Sequence, residues 1–339
     1  MRGVDPIPSD LPVVGAPMAG GPSSPELVAA VSTAGGLGLV AGGYRTAEAL
    51  ADEIERVRAL LAPGVPFGAN LFTPVPGPGD PVAVAAYAQQ IAPLAEAAGI
   101  TLGAPRFDDD DFEGKLQVIR VHRPPVVTFA FGRPEPGLTR ELQADGIAVW
   151  VTVTTLAEAE QAAEGGADGL VVQGAEAGGH RGGFADDASP LPLIELLPKV
   201  ARLGPLIVAA GGIMDGPDAA RARALGADAV QVGTALLLTP EAGTPEVHRR
   251  AVAGDAPTVL TRAFTGRLAR GIANAWTAGP GIDAPPAYPE LHHLTQPLRM
   301  YGRAQADPDL VNLWAGTGHA RARAVPAATI VAELAAGLR

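Results

Sequence analysis

The sequence predicts an α/β fold, a TIM (β/α)8 barrel with a mostly helical C-terminal cap, and three observations carry the prediction. Eight short apolar runs alternate with Ala/Leu-rich stretches along most of the chain. The runs are near-continuously apolar rather than alternating, as expected of parallel strands covered on both faces. Turn residues stand between runs and stretches almost throughout. Eight strands, each followed by a helix, is the barrel count, and a doubly wound open sheet more often stops short of it.

In chain order, the strands are expected at 13–16, 37–41, 67–71, 126–129, 148–153, 169–173, 206–210 and 229–233. Between them, Ala- and Leu-rich stretches predict helices at 25–33, 47–61, 156–164, 190–203 and 217–225. Pro25, Pro190 and Pro217 follow Ser24, Ser189 and Gly216, and the first helical turn is where a missing N–H costs nothing. Gly-Ala-Asp recurs at 166–168 and at 226–228, each time ending a helical stretch and opening a buried run. A glycine C-cap accounts for the pair as well as an internal repeat does, and both readings give βα units. The segment 73–81 (TPVPGPGDP) reads as a stiff loop on the catalytic face. The acidic run 108–111 reads as a solvated loop, lacking the glycine and spaced terminal carboxylate of a calcium site. From residue 255 strand signals fade, so 1–254 is expected to form the barrel and 255–339 a cap over its mouth, not an independent domain.

Composition narrows the function classes. Of 339 residues, 47% are hydrophobic and only 4% aromatic, which suits a layered α/β core of small side chains better than an aromatic-rich sandwich. The net charge of −11, with Lys115 and Lys199 the sole lysines, speaks against a nucleic-acid surface. Without cysteine there is no disulfide, thiolate nucleophile or thiolate metal site. His122, His248, His292, His293 and His319 show no metal-ligand spacing, and the adjacent pair His292-His293 reads as polar cap surface. Residues 1–6 carry an acid and a proline where a signal peptide needs an apolar run, and no apolar stretch is long enough to span a membrane. A cytoplasmic protein is expected; its oligomeric state is not legible.

The chemistry concentrates at the strand ends. The seventh strand ends in Gly211-Gly212 and the eighth in Gln231-Val232-Gly233-Thr234. Loops after these two strands commonly bind phosphate in barrels, through backbone N–H groups that a side chain would obstruct. After the sixth strand, Gln173-Gly174-Ala175-Glu176-Ala177-Gly178-Gly179-His180-Arg181-Gly182-Gly183 gathers amide, acid, imidazole and guanidinium in one glycine-rich loop. Such a loop packs closely against a planar ligand. Gln173 can offer its amide to a flavin pyrimidine edge, and His180 can move a proton near neutral pH. Ala16, Pro17 and Met18 end the first strand with backbone groups for a flat ring, and Asn70 ends the third with an amide. The bland readings are a core-facing Met18, a turn-forming Asn70 and glycines that merely permit tight turns. Tyr288, Tyr301 and Trp314 are candidates to line the mouth.

These segments, together with 261–267 (TRAFTGR) and 312–316 (NLWAG), resemble the nitronate monooxygenase family from end to end; the string Glu-Ala-Gly-Gly-His-Arg-Gly is the most specific. The resemblance implies a TIM barrel, bound FMN and O2-dependent oxidation of alkyl nitronates to a carbonyl compound and nitrite. It gives His180 the catalytic position, near which, with Arg181, the substrate anion would bind. It puts Asn70, Gln173, Gly178, Gly212 and Gln231 through Thr234 at FMN-contacting positions; Ala16, Pro17, Met18, Gly179 and Gly211 are expected beside them. No metal is expected, and the partners are an alkyl nitronate or nitroalkane and O2. NAD(P)H-dependent enoyl-thioester and quinone reductases resemble the same barrel, and enoyl reductases also carry a histidine after Gly-Gly. Arg181-Gly182 and Trp314-Ala315-Gly316 favour the monooxygenase. A non-catalytic flavin-binding module is the third reading.

Overall fold

The computed structural model describes residues 7–186 and 190–339; the N-terminal run 1–6 and the expected helix lead Ser189 lie outside them. The barrel strands are β1 Val13–Gly15, β2 Leu37–Ala41, β3 Phe67–Phe72, β4 Val126–Ala130, β5 Ala148–Val153 and β6 Gly169–Gln173. After a two-residue strand outside the barrel, β7 Gly179–His180, come β8 Leu206–Ala210 and β9 Ala229–Val232. The eight barrel strands pair in parallel in the order β1-β2-β3-β4-β5-β6-β8-β9, and β9 returns to β1. The fold is a TIM barrel, with each predicted strand in place. Its interior is filled by Val14, Leu37, Leu39, Val126, Trp150, Val171 and Val208, a packed core rather than a pore.

The helices start where short polar side chains satisfy free N–H groups. Ser24 caps α1 (Pro25–Thr33), Thr46 caps α2 (Ala47–Leu60) and Asp80 caps α3 (Pro81–Ala98). After α4 (Phe112–His122) and α5 (Pro136–Ala144), Thr155 caps α6 (Leu156–Glu164). The next helix departs from the expectation of 190–203: α7 covers Leu193–Val200. Leu191 O accepts from Ala175 N and the Glu176 carboxylate takes Leu193 N at 3.0 Å, so 190–192 is held by the glycine-rich loop instead of helix bonds. Asp215 then caps α8 (Gly216–Ala224). The two Gly-Ala-Asp turns do the same work, as Asp168 accepts from Val149 N and Asp228 from Ile207 N, both at 2.8 Å. Each carboxylate pins its own strand to the preceding one.

The stretch expected to form a cap divides. Helix α9 (Glu246–Val252), the hairpin of β10 (Thr258–Thr261) and β11 (Ala269–Ile272), α10 (Ala275–Ala278) and α11 (Glu290–Gln305) lie between β9 and the last helix, α12 (Ala327–Gly337). Ile330, Val331 and Leu334 of α12 share one apolar cluster with Leu27 and Val31 of α1 and Ala219 of α8. A second cluster joins Val84, Tyr87 and Ile91 of α3 to Phe264, Trp276, Leu291 and Leu298. The chain's last helix therefore stands in the barrel wall, while α3, which follows β3, packs with the cap. Within it, Tyr87 donates to Ala263 O and accepts from Trp276 Nε1.

The acidic run is a loop with Asp109 and Asp111 exposed, as its composition suggested, but two of its carboxylates also hold neighbouring backbone. Asp110 and Asp111 accept the backbone N–H groups of Tyr44 and Ala47, and Asp110 meets buried Lys115 at 2.7 Å. Burial pushes the Asp110 carboxyl up to about 6 despite that ammonium. Among the described residues, no helix is long and apolar enough to cross a membrane.

Candidate active site

A cavity of about 1440 Å³, counted to its open mouth, lies over the C-terminal ends of the barrel strands. His180 and every residue expected to contact FMN line it: Ala16, Pro17 and Met18 after β1, Asn70 on β3, and Gln173, Gly178 and Gly179 around β6 and β7. Gly211 and Gly212 after β8 complete the wall with Gln231, Gly233 and Thr234 at β9.

At the β8–β9 end the walls are backbone. Gly211 and Gly212 adopt φ of +104° and +72°, a region that side chains rarely enter. A Cβ on Gly212 would lie 3.1 Å from Glu176 Cβ, and one on Gly233 3.3 Å from Ala16 Cβ. The backbone N–H groups of Gly212, Gly233 and Thr234 find no acceptor among the described residues. Thr234 Oγ1 accepts from Gly316 N at 2.9 Å, which leaves its own proton available. Gln231 Oε1 is buried without a partner. Free donors at strand ends and no room for side chains make a site that an anionic tail fits, while the unpaired Gln231 oxygen suits a donor on a ligand ring.

Other expected contacts are already spent within the chain. Ala16 N donates to Val232 O, and Ser23 Oγ ties Met18 N (2.8 Å) to Ala16 O (3.1 Å). The first strand end thus offers mainly carbon surface. Asn70 Nδ2 is held by Thr128 Oγ1 at 3.0 Å. The Gln173 amide braces its own loop, with Nε2 donating to His180 O at 3.0 Å and Oε1 accepting from Gly182 N at 2.9 Å. One Nε2 hydrogen remains for a ligand. Arg181 does not face the cavity as the substrate role required; it is buried and clasps Gly174 O and Gln173 O.

His180 is stitched in from both sides. Its strand β7 pairs with β11, Ala269 opposite His180. Arg267 donates to Arg181 O and Gly183 O and stacks 4.1 Å over the Phe131 ring. Ring contacts to His180 come from Tyr44, Phe131, Tyr288 and Trp314, with centroids 5.5 to 6.4 Å away. Burial pushes the imidazole down to about 3, helped by the cations of Arg267 and Arg299. It is neutral at physiological pH, so it cannot attract an anion in protonated form.

Tyr288 and Trp314 reach this aromatic wall as expected, whereas Tyr301 packs against the cap cluster instead. His292 is not surface: it is 6% exposed, stacks on Tyr44 at 3.9 Å and accepts from Arg299. Helix α11 buries that face. His293 Nε2 bonds Asp108 at 2.8 Å. The sequence reading missed Tyr44, Phe72, Phe131 and Gly316 in the cavity wall. For the first three, a signal existed, since each stands at or just past a barrel-strand end.

The sequence matches the nitronate monooxygenase family over residues 7–337. It is 39% identical to a nitronate monooxygenase of Paraburkholderia phytofirmans, over 96% of this chain and 91% of that one. Identity is also 39% to a nitronate monooxygenase of Pseudomonas aeruginosa, over 97% and 96%. Among solved structures, a nitroalkane oxidase from Streptomyces ansochromogenes superposes with a TM-score of 0.93 at 45% identity, covering 97% of this chain and 96% of that one. FabK from Thermotoga maritima (TM-score 0.75, 24% identity, 100% and 96% covered) shares the fold.

Proposed function

The chain belongs to the nitronate monooxygenase family of oxidoreductases, and from that premise we propose that it oxidises alkyl nitronates with O2, to a carbonyl compound and nitrite, using FMN. The observation that carries the reading is the convergence of His180 and the residues expected to contact FMN on one cavity whose β8–β9 end presents free N–H groups. Gly212, Gly233 and Thr234 would hold the phosphate of FMN, and Gln231, Asn70 and Gln173 would address its ring. FMN, when bound, supplies the electron transfer between organic substrate and oxygen.

The protein's part is placement, charge and proton traffic. Arg267, Arg299 and Arg303 meet no carboxylate within ion-pair distance among the described residues, and Arg303 lines the cavity. The charge of Arg299 and Arg303, with that of Arg267, which Asp186 and Glu158 offset only from beyond contact, draws an anionic substrate, the task His180 cannot perform. Neutral His180 instead takes a proton from a nitroalkane carbon through its bare ring nitrogen. Its aromatic neighbours keep water from the reacting carbon.

An absorption spectrum of the purified protein and nitrite release from simple alkyl nitronates test the proposal together. A yellow protein that releases nitrite is expected. A colourless protein that FMN cannot reconstitute, or one that releases no nitrite, would overturn it. Rapid bleaching on anaerobic mixing with NADPH would move the assignment to a reductase.

A further inference from the structure

The backbone of His180 is fixed by β11, Arg267 and Gln173, but these contacts leave the side-chain torsions free. The aromatic rings around the imidazole limit its volume and impose no direction on its nitrogens. Among the described residues, one group makes a directional contact to the ring: Thr265 Oγ1 lies 2.8 Å from Nε2. Thr265 is 1% exposed, in the turn between β10 and β11. Its hydroxyl also lies 3.4 Å from Arg267 O and 3.5 Å from Arg267 N, so a hydroxyl proton and a lone pair both have uses in the turn. No carboxylate pairs with His180 among the described residues.

That partner's chemistry matters. A carboxylate beside an imidazole orients it and also raises its basicity. A hydroxyl orients it and adds no charge. With Nε2 engaged, Nδ1 is the nitrogen left for chemistry, and it has no partner among the described residues.

We infer that Thr265 is a positioning residue: with its own proton directed to Arg267 O, its hydroxyl accepts from Nε2–H and so holds the His180 imidazole in one orientation and one neutral tautomer, with Nδ1 left unprotonated to meet the substrate. The inference rests on the reading of His180 given above. It gives the inserted hairpin a task, because β11 fixes the backbone of His180 and the turn before it fixes the ring. The contact spans 85 residues of sequence.

The test compares Thr265→Val, which keeps the shape, with Thr265→Ser, which restores the hydroxyl. In Thr265→Val, kcat for nitrite release should fall about tenfold or more, with KM and flavin content little changed, as misplacement of a reacting group predicts. Thr265→Ser should recover most of the loss. Long-range ¹⁵N–¹H spectra of the histidine rings should show His180 in a single tautomer in the wild-type protein and a mixture in Thr265→Val. Wild-type turnover in Thr265→Val, no recovery in Thr265→Ser, or averaged tautomers in the wild-type protein would each overturn the inference. Should Thr265→Val not fold, the serine variant and the wild-type spectrum decide. If the wild-type protein releases no nitrite, the nitronate reading fails, while the spectra still judge Thr265.

Discussion

His180 and the glycines opposite divide the work between chemistry and grip, and substitution can separate the two. His180→Asn keeps a neutral polar group but removes the ring nitrogens. Turnover should fall by about 10²-fold or more, the usual worth of a placed proton-transfer group, while the flavin stays bound. Nitrite release and the flavin spectrum measured on one sample check both halves; undiminished turnover would remove His180 from the reaction. Gly233→Ala asks the converse. Gly233 has φ of −115°, so alanine brings no backbone strain there, but its methyl would sit 3.3 Å from Ala16 Cβ and 3.4 Å from Met18 Sδ. Stability should drop by about 1 kcal/mol, whereas flavin affinity should fall by about tenfold or more, because the methyl intrudes where backbone must approach the phosphate. Flavin titration against thermal unfolding distinguishes them. An unchanged flavin Kd would mean that the strand end merely turns the chain.

Helix α12 covers the barrel wall between α1 and α8. Leu334 is fully buried in the cluster that also holds Val31 and Ala219. Leu334→Ala should cost about 2–5 kcal/mol, read as a lower denaturant midpoint; a loss below about 1 kcal/mol would make the helix a dispensable tail. This position was not legible in the sequence, because an apolar amphipathic helix fits any wall and only the fold says which one is open. The barrel strands were legible because burial on both faces leaves runs such as Leu37–Ala41 and Leu206–Ala210 without polar interruption. The β8 and β9 ends were legible because glycine marks backbone that must be approached. The hairpin that holds His180 left no such trace. Strand β7 is two residues long, too short for periodicity, and Thr265 gains its meaning only from a partner 85 residues away. His292 was misread for a related reason: adjacency to His293 suggested surface, whereas α11 buries one neighbour against Tyr44 and turns the other to Asp108.

The whole molecule carries a net charge of −11, yet its cavity is flanked by arginines that meet no carboxylate at ion-pair distance among the described residues. Surface charge is screened over about 8 Å at physiological ionic strength, so the local field of Arg267, Arg299 and Arg303 prevails where a small anion would dock. The same burial that leaves these cations unpaired keeps histidines neutral. Burial pushes His180 down to about 3 and His248 to about 4, and it drives His292 well below 6.5. In the unfolded chain each regains a proton as pH falls through 6.5, while the folded chain still refuses it. Folding free energy therefore drains away with acid across that window. Asp110 acts in the opposite sense. Its carboxyl is raised from 3.8 to about 6, so between these values the folded state holds a proton that the unfolded state has lost, and stability from this group declines as pH rises. Three histidines outweigh one aspartate, so net stability should fall on acidification from 6.5 toward 4, by on the order of 1–3 kcal/mol per pH unit. Urea midpoints across that range measure it. A midpoint that holds steady or climbs toward pH 4 would show that the histidines are charged in the folded protein. In that case His180 would greet the substrate as a cation, and the arginines would no longer be needed to attract it.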